Sequence, residues 1–339
     1  MTRIFFWAYL LLLSGVCFAE EPQPQVDSAK KQSPASRKRG RLPSLPFLRV
    51  HDPSSVYKEQ GQYWVFYTGR GVSSASSENL VDWTPGPSIF QESPDWVAEA
   101  VPGNRGHFWA PDLIRLGDRY GVYYSVSTFG KNRSAIALAT SPSLNPQNSE
   151  TEWTDRGIVI QTDEADDYNA IDPSVLRTSA GELWMAFGSF WSGIKLIRLD
   201  PETGLRHPEC QTVHSVAWKE QIEAPTLIEK DGFFYLFVNW GWCCRGTDST
   251  YNIRVGRSRK ITGPYLDQRG QELLRGGGTL VLETEGNMIG PGHPVFIERD
   301  QKWKMLFHYY DAQHRGVPRL GIRNLTWTCD GWPEIVQPK

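Results

Sequence analysis

A short phrase recurs five times along this chain and dictates what the chain can become. Each copy sets an acid, a histidine or an alanine before a proline, then a polar or apolar residue and an apolar run. The copies are His51-Asp52-Pro53-Ser54, Trp109-Ala110-Pro111-Asp112, Ile171-Asp172-Pro173-Ser174, Glu223-Ala224-Pro225-Thr226 and Gly292-His293-Pro294-Val295. A turn and an aromatic-rich run follow each: Tyr63 to Tyr67, Tyr120 to Tyr124, Leu183 to Phe187, Phe233 to Phe237 and Trp303 to Phe307. Successive repeat prolines stand 58, 62, 52 and 69 residues apart, which fits about four short strands with their turns. Short apolar runs between turn residues, with no sustained helical periodicity, predict an all-β chain. Five copies of one supersecondary unit predict a five-bladed β-propeller. Its third and fourth strands are expected between Gly69 and Trp83, over Ser134 to Ala139, Gly193 to Leu199 and Tyr251 to Gly256, and finally over Pro318 to Arg323 and Thr326 to Thr328.

In a propeller the innermost strand of each blade runs beside the central axis, so equivalent repeat positions form a ring. Immediately before the prolines stand Asp52, Ala110, Asp172, Ala224 and His293; one step earlier stand His51, Trp109, Ile171, Glu223 and Gly292. Three carboxyls (Asp52, Asp172, Glu223) and the His293 imidazole are therefore expected to meet at one mouth, over the central axis. Acids gathered in a concave site perturb one another's pKa, which is what acid–base chemistry requires. A lone acid beside proline is accounted for as a turn former; three in register are not. The Trp and Tyr stripes read mostly as packing between blades.

A formal net charge of −2 over 339 residues sets up no field for nucleic acid or an anionic membrane, so neither is expected as a partner. Arg3, the apolar run Ile4 to Leu13 and the small residue Ala19 read as a secretory signal over residues 1–19. That run is shorter than the about 20 apolar residues of a membrane span. Residues 20–46, rich in Pro, Ser, Gln, Lys and Arg, read as a disordered linker, and their Arg37-Lys38-Arg39 cluster as solvated charge. The propeller is left with 47–339, as a secreted or periplasmic monomer with no membrane attachment after signal cleavage. Once Cys17 leaves with the signal, Cys210, Cys243, Cys244 and Cys329 allow three pairings, among which the sequence does not choose. A Cys243–Cys244 bond would be vicinal, and free thiols or a packing role stay open. No spaced Cys or His pair accompanies them to suggest zinc.

The set His51-Asp52-Pro53-Ser54, Phe108 to Asp112, Asn169 to Ser174, Gly188-Ser189-Phe190-Trp191-Ser192-Gly193, Glu223-Ala224-Pro225 and Gly290 to Pro294 resembles glycoside hydrolase family 43. The stretch Cys243 to Tyr251 and the glycines Gly276-Gly277-Gly278 resemble its endo-α-1,5-L-arabinanase branch. The likeness runs from Leu45 to Trp332 and implies a five-bladed propeller. It implies Asp52 as general base, Glu223 as general acid, and Asp172 as the carboxylate that orients the acid and raises its pKa. It implies hydrolysis with inversion, the base and acid standing about 6.5–9.5 Å apart with water between them. His293 matches a position that approaches a central calcium ion; a lone imidazole suits a hard cation poorly, so a mostly hydrated ion is expected. Trp109 and Trp191 are expected to offer flat faces to a sugar ring. Gly130, Asn169 and Ser189 are expected to line the cleft, and Arg245 to brace Glu223 through a charge-assisted hydrogen bond. His107, His207, His214, His308 and His314 are read as structural or exposed.

Two departures qualify the likeness. Thr226 follows Pro225 where an aromatic is common, so a nearby subsite is expected to be reshaped. The segments Val97 to His107 and Asp163 to Asp167 flank the expected cleft, and closure by either would turn internal attack into attack on chain ends. The leading expectation is endo-cleavage of arabinan or a related plant cell-wall polysaccharide. The alternatives are an exo-acting arabinofuranosidase, another family activity on xylan or galactan, or a non-catalytic sugar-binding propeller.

Overall fold

The computed structural model describes residues 47–336, so the expected signal (1–19) and linker (20–46) lie outside the described residues. Five antiparallel sheets follow one another along the chain, each built almost wholly from consecutive strands. Their first strands, in blades I to V, are Tyr57–Glu59, His107–Leu116, Ser174–Arg177, Ile222–Lys230 and Met288–Arg299. The second strands are Gln62–Tyr67, Arg119–Val126, Leu183–Phe187, Phe233–Trp240 and Lys302–Asp311, and they contain all five aromatic-rich runs. First strands of blades II to V touch one another in turn, which places them innermost in a five-bladed propeller.

One apolar cluster fills each gap between neighbouring blades. Trp64 and Phe66 meet Phe108 and Tyr124; Ile136 and Leu138 meet Met185 and Phe187; Ala186 and Leu196 meet Leu236 and Val238; Phe237 and Val255 meet Met305 and Phe307. The fifth cluster joins Val56 and Val65 of blade I to Val295 and Leu306 of blade V and closes the ring. Burying a large aliphatic or aromatic side chain is worth about 1.5–3 kcal/mol, so these seams hold the ring. Among the described residues no strand is exchanged across the V–I seam; blade V takes its outer strand, Pro333–Ile335, from the segment that follows its third strand. Packing and side-chain bonds close it, including Arg299 Nη1 to Tyr63 Oη at 2.7 Å.

Blade V departs from expectation. Its third strand runs unbroken through Val317–Trp327, and the fourth lies beyond it. No turn residue interrupts the run at buried Leu325; the chain turns instead at Thr328 to Gly331, where the Gly331 N–H donates to the Thr328 carbonyl. Among the described residues, helix is limited to Val97–Ala100 and three single 3-10 turns.

Candidate active site

The repeated proline has a common backbone consequence. The residue before it is left-handed in all five blades: Asp52 φ 52°, Ala110 φ 42°, Asp172 φ 59°, Ala224 φ 50° and His293 φ 53°. Such a conformation costs a non-glycine residue roughly 1–3 kcal/mol. It breaks the ladder into bulges, at Trp109/Asp112, Glu223/Thr226 and Ile289/Gly292/Val295.

Each of these strained residues has its N–H held by a side chain of the preceding blade. Ala110 donates to Thr68 Oγ1 at 2.8 Å, Asp172 to Ser125 Oγ at 2.9 Å, His293 to Asn239 Oδ1 at 3.0 Å and Asp52 to His308 Nδ1 at 3.1 Å. Blade III breaks the pattern. The position equivalent to Thr68 is Gly188, whose N–H bonds Ile171 as Thr68 bonds His51. A side chain cannot stand there: φ is +127° and a Cβ would lie 2.7 Å from the Gly193 carbonyl oxygen. The Asp172 carboxylate takes over, its Oδ2 accepting the Ala224 N–H at 3.1 Å. Asp172 is thereby fixed beside the backbone that carries Glu223.

Three histidines surround Asp52. His51 Nδ1 lies 2.7 Å from Oδ2, and the Nδ1 atoms of His293 and His308 each lie 3.5 Å from Oδ1. Thr68 Oγ1 donates to Oδ2 at 2.6 Å. Burial alone would raise this carboxyl, but the rings of His51 and His293 outweigh it and hold Asp52 well below the usual carboxylate range. Burial, reinforced by His51, pushes His308 well below the usual imidazole range, so its Nδ1 is free to accept the Asp52 N–H.

Glu223 is tuned the other way. Its Oε2 accepts Ser189 Oγ at 2.7 Å and its Oε1 accepts the Tyr251 hydroxyl. Tyr251 reaches it because Gly292 lacks a side chain; a Cβ there would sit 2.3 Å from the tyrosine ring. Burial raises Glu223 to about 7, the Ser189 bond opposes the rise and the Asp52 charge adds to it. Asp172 is likewise raised well above its ordinary value, by burial and then by repulsion from Glu223 and Asp52. The Tyr251 ring packs against His308, centroids 6.0 Å apart, which joins the acidic pair to the Asp52 cluster. The three carboxyls expected to converge do so.

The other expected residues divide. Ser189 and Asn169 are buried, and Asn169 Oδ1 has no hydrogen-bond partner among the described residues. Trp109 is half-buried, its Nε1 donating to His107 Nδ1 at 3.0 Å. Trp191 is 42% exposed, and Gly130 sits in an exposed turn beside Phe129. His293 is buried, and its Nδ1 makes no hydrogen bond. Arg245 does not brace Glu223. Its guanidinium lies over the Trp242 ring at 4.2 Å, and both acid oxygens are already taken by Ser189 and Tyr251. Thr226 does not face a subsite: it is buried and donates to the Pro294 carbonyl at 2.5 Å, tying blade IV to blade V.

Sequence reasoning missed His308, Tyr251, Tyr310, Thr68 and the rim aromatics Trp218 and Trp242. His308, read as structural or exposed, is fully buried against Asp52. A signal existed: Thr68, Ser125, Gly188, Asn239 and His308 each stand 14 or 15 positions after a repeat proline. Among the described residues Cys243 and Cys244 form a disulfide, while Cys210 and Cys329 are free.

Comparison with known proteins agrees with this geometry. Residues 45–333 match Glycosyl hydrolases family 43. The chain is 40% identical to the extracellular exo-alpha-(1->5)-L-arabinofuranosidase ArbA of Cellvibrio japonicus, over 84% of this chain and 86% of that protein. It is also 40% identical to the extracellular endo-alpha-(1->5)-L-arabinanase 1 of Bacillus subtilis, over 84% of this chain and 87% of that one. The Cellvibrio cellulosa alpha-L-arabinanase complexed with arabinohexaose superposes with a TM-score of 0.81 at 37% identity, covering 86% of this chain and 96% of that chain. A propeller with three carboxyls at its axis, matched over nearly all of its length, belongs to glycosyl hydrolase family 43.

Proposed function

We propose that this chain is an exported, inverting endo-1,5-α-L-arabinanase. The observation that carries the mechanism is the contrast between two carboxyls of one cleft: three histidine rings surround Asp52, two of which, His51 and His293, favour its ionised form, whereas burial lifts Glu223 to about 7. Glu223 gives its proton to the leaving glycosidic oxygen. Asp52 takes a proton from a water that attacks the anomeric carbon on the opposite face. Asp52 belongs to blade I and Glu223 to blade IV, which are not neighbours in the ring. Among the described residues no hydrogen bond joins the two, in keeping with a water between them. The proton shared by the acidic pair rests on Glu223: the Ala224 amide can only donate and so favours the Asp172 anion. The Ser189 and Tyr251 hydroxyls can instead turn to accept from a protonated Glu223.

The substrate follows from the relatives, which are named for α-1,5-arabinan chemistry. The exposed faces of Trp191, Trp218 and Trp242 suit furanose rings. Export is supported by the apolar run Ile4 to Leu13 and by relatives named extracellular; among the described residues no helix is long and apolar enough to cross a membrane. A calcium ion is proposed at His293. The buried His293 Nδ1 makes no hydrogen bond and stands 3.5 Å from Asp52 Oδ1, so the two could share a cation between them, and an oxygen-seeking cation would keep water in most other positions. When bound, it would supply positive charge beside Asp52. Exo-cleavage is the second reading, favoured by the likeness to the Cellvibrio japonicus enzyme.

Early products from linear arabinan test the assignment, by chromatography and by proton NMR of the first anomer formed. A ladder of oligomers with β-configured new ends is expected. Arabinose alone would replace endo with exo action, and an α-anomer formed first would remove inversion. Unimpaired turnover by Glu223→Gln would remove the acid. Metal analysis of the wild type and His293→Ala should find calcium only in the former.

A further inference from the structure

The mechanism leaves one exposed, chemically reactive group at the cleft unused, the disulfide between Cys243 and Cys244. It sits over the Asp52 cluster. The Cys244 N–H donates to the Tyr310 hydroxyl at 2.6 Å, and that hydroxyl lies 2.7 Å from His51 Nε2. Cys244 Sγ is itself 3.9 Å from the same nitrogen.

These contacts fix the direction of a proton chain. Tyr310 has one proton, and its oxygen already accepts from the Cys244 amide, so the phenol donates to His51 Nε2. With Nε2 accepting, the ring proton sits on Nδ1, which lies 2.7 Å from Asp52 Oδ2 and donates to it. The Asp52 carboxylate, which can only accept, keeps the ring proton on Nδ1, and the Cys244 amide, through Tyr310, positions the other end of the ring. That amide points at Tyr310 because Cys244 is left-handed, φ 63°, a conformation that is costly for a non-glycine residue and so depends on the constraints around it, the bridge among them. The loop on either side is pinned separately, the Trp242 N–H to Thr250 Oγ1 at 3.0 Å and the Arg245 N–H to Ser249 Oγ at 3.1 Å. Opening the bridge therefore frees the cysteine pair without freeing the loop.

We propose that the Cys243–Cys244 disulfide is a redox-sensitive positioning element, which holds the Cys244 amide on Tyr310 and so fixes His51 against Asp52. It acts through His51 and rests on the reading of Asp52 as the base. A dithiol reductant supplies two electrons and two protons: the S–S bond breaks, two thiols form, and the reductant closes into its own disulfide. The new Cys244 thiol then stands within reach of His51 Nε2 and competes with Tyr310 for it, which loosens the placement of the ring against Asp52.

The test compares the full chain before and after dithiothreitol treatment, with release of two additional thiols per chain as the criterion of reduction. On linear arabinan, kcat is expected to fall about 10- to 100-fold, as for a small misplacement of a reacting group. KM and the thermal transition should hold, and reoxidation should restore kcat. Tyr310→Phe and the double variant Cys243→Ser/Cys244→Ser are expected to start at the reduced level and to ignore reductant. Nitrogen-15 NMR of the His51 ring, assigned with His51→Asn, should show Nδ1 protonated in both states and the Nε2 resonance displaced on reduction, as its bond from Tyr310 is lost or shared. Two thiols released with kcat and the Nε2 resonance unchanged overturns the proposal, and so does a kcat loss that travels with KM and the thermal transition. If the oxidised chain fails to cut arabinan, the substrate reading falls, while the His51 spectrum still decides the positioning role.

Discussion

Removing the Ser189 hydroxyl should move the alkaline limb of activity to higher pH. Ser189 Oγ donates to Glu223 Oε2 at 2.7 Å, and a donor to a carboxylate favours the ionised form. Burial lifts Glu223 to about 7 against that opposition. A hydrogen bond to a charged group is worth about 1.5–3 kcal/mol, and one pKa unit corresponds to roughly 1.4 kcal/mol. Ser189→Ala should therefore raise Glu223 by about one to two units. The lower figure is expected, because Tyr251 still donates to the other oxygen and water can enter from the cleft. The sign follows from the role: an acid works while protonated, activity is lost as pH rises through its pKa, and a higher pKa carries the loss upward. Initial rates of arabinan cleavage across the pH range, for wild type and Ser189→Ala, measure the shift. The acidic limb should stay in place, since Asp52 makes no contact with Ser189. An alkaline limb that stays put or moves down would show that Glu223 does not set it.

Gly292→Ala should push the Tyr251 ring off the backbone, costing about 1–3 kcal/mol of overpacking and lowering kcat; unchanged melting and turnover would contradict the close approach. Asp172→Asn keeps an acceptor for the Ala224 N–H but loses the charge, whereas Asp172→Ala loses both. By denaturant unfolding the alanine variant should be about 1–3 kcal/mol less stable than the asparagine one. Arg245→Ala should leave the alkaline limb where it is, because the guanidinium lies on Trp242 and not on the acid; a displaced limb would restore the bracing role.

The fold was legible because one device is written five times. A residue forced left-handed before proline bends the chain at the axis, inside the first strand of blades II, IV and V and just before it in blades I and III. The carboxyls were legible for the same reason, since Asp52, Asp172 and Glu223 sit at fixed steps from those prolines. Their partners were not. Thr68, Ser125, Asn239 and His308 lie on or just after second strands, and each serves the blade that follows its own, a relation that exists only once the ring is closed. His308 carries no proline beside it, so as a lone histidine it read as ordinary. Arg245 misled in the opposite direction: the family likeness suggested a pair with Glu223, but Arg245 caps a 3-10 turn and its guanidinium lies on the Trp242 ring.

The chemistry stands where the repeat is irregular. Four blades cap the next with a side chain on or just after their second strand, and two of these caps, Thr68 and His308, also face Asp52. Blade III has glycine at that place and lends Asp172 instead, so a group needed for charge is also a structural cap. That double use explains how the pair stays in register. Asp172 cannot drift from Glu223, because its oxygen holds the amide of the very next residue. Asp52 is tied in the same manner across the V–I seam, where the first and last blades meet. Ring closure and the alignment of base with acid therefore draw on the same bonds. A change that loosens the seam, at His308 or Tyr310, should reach kcat at temperatures well below those that unfold the propeller.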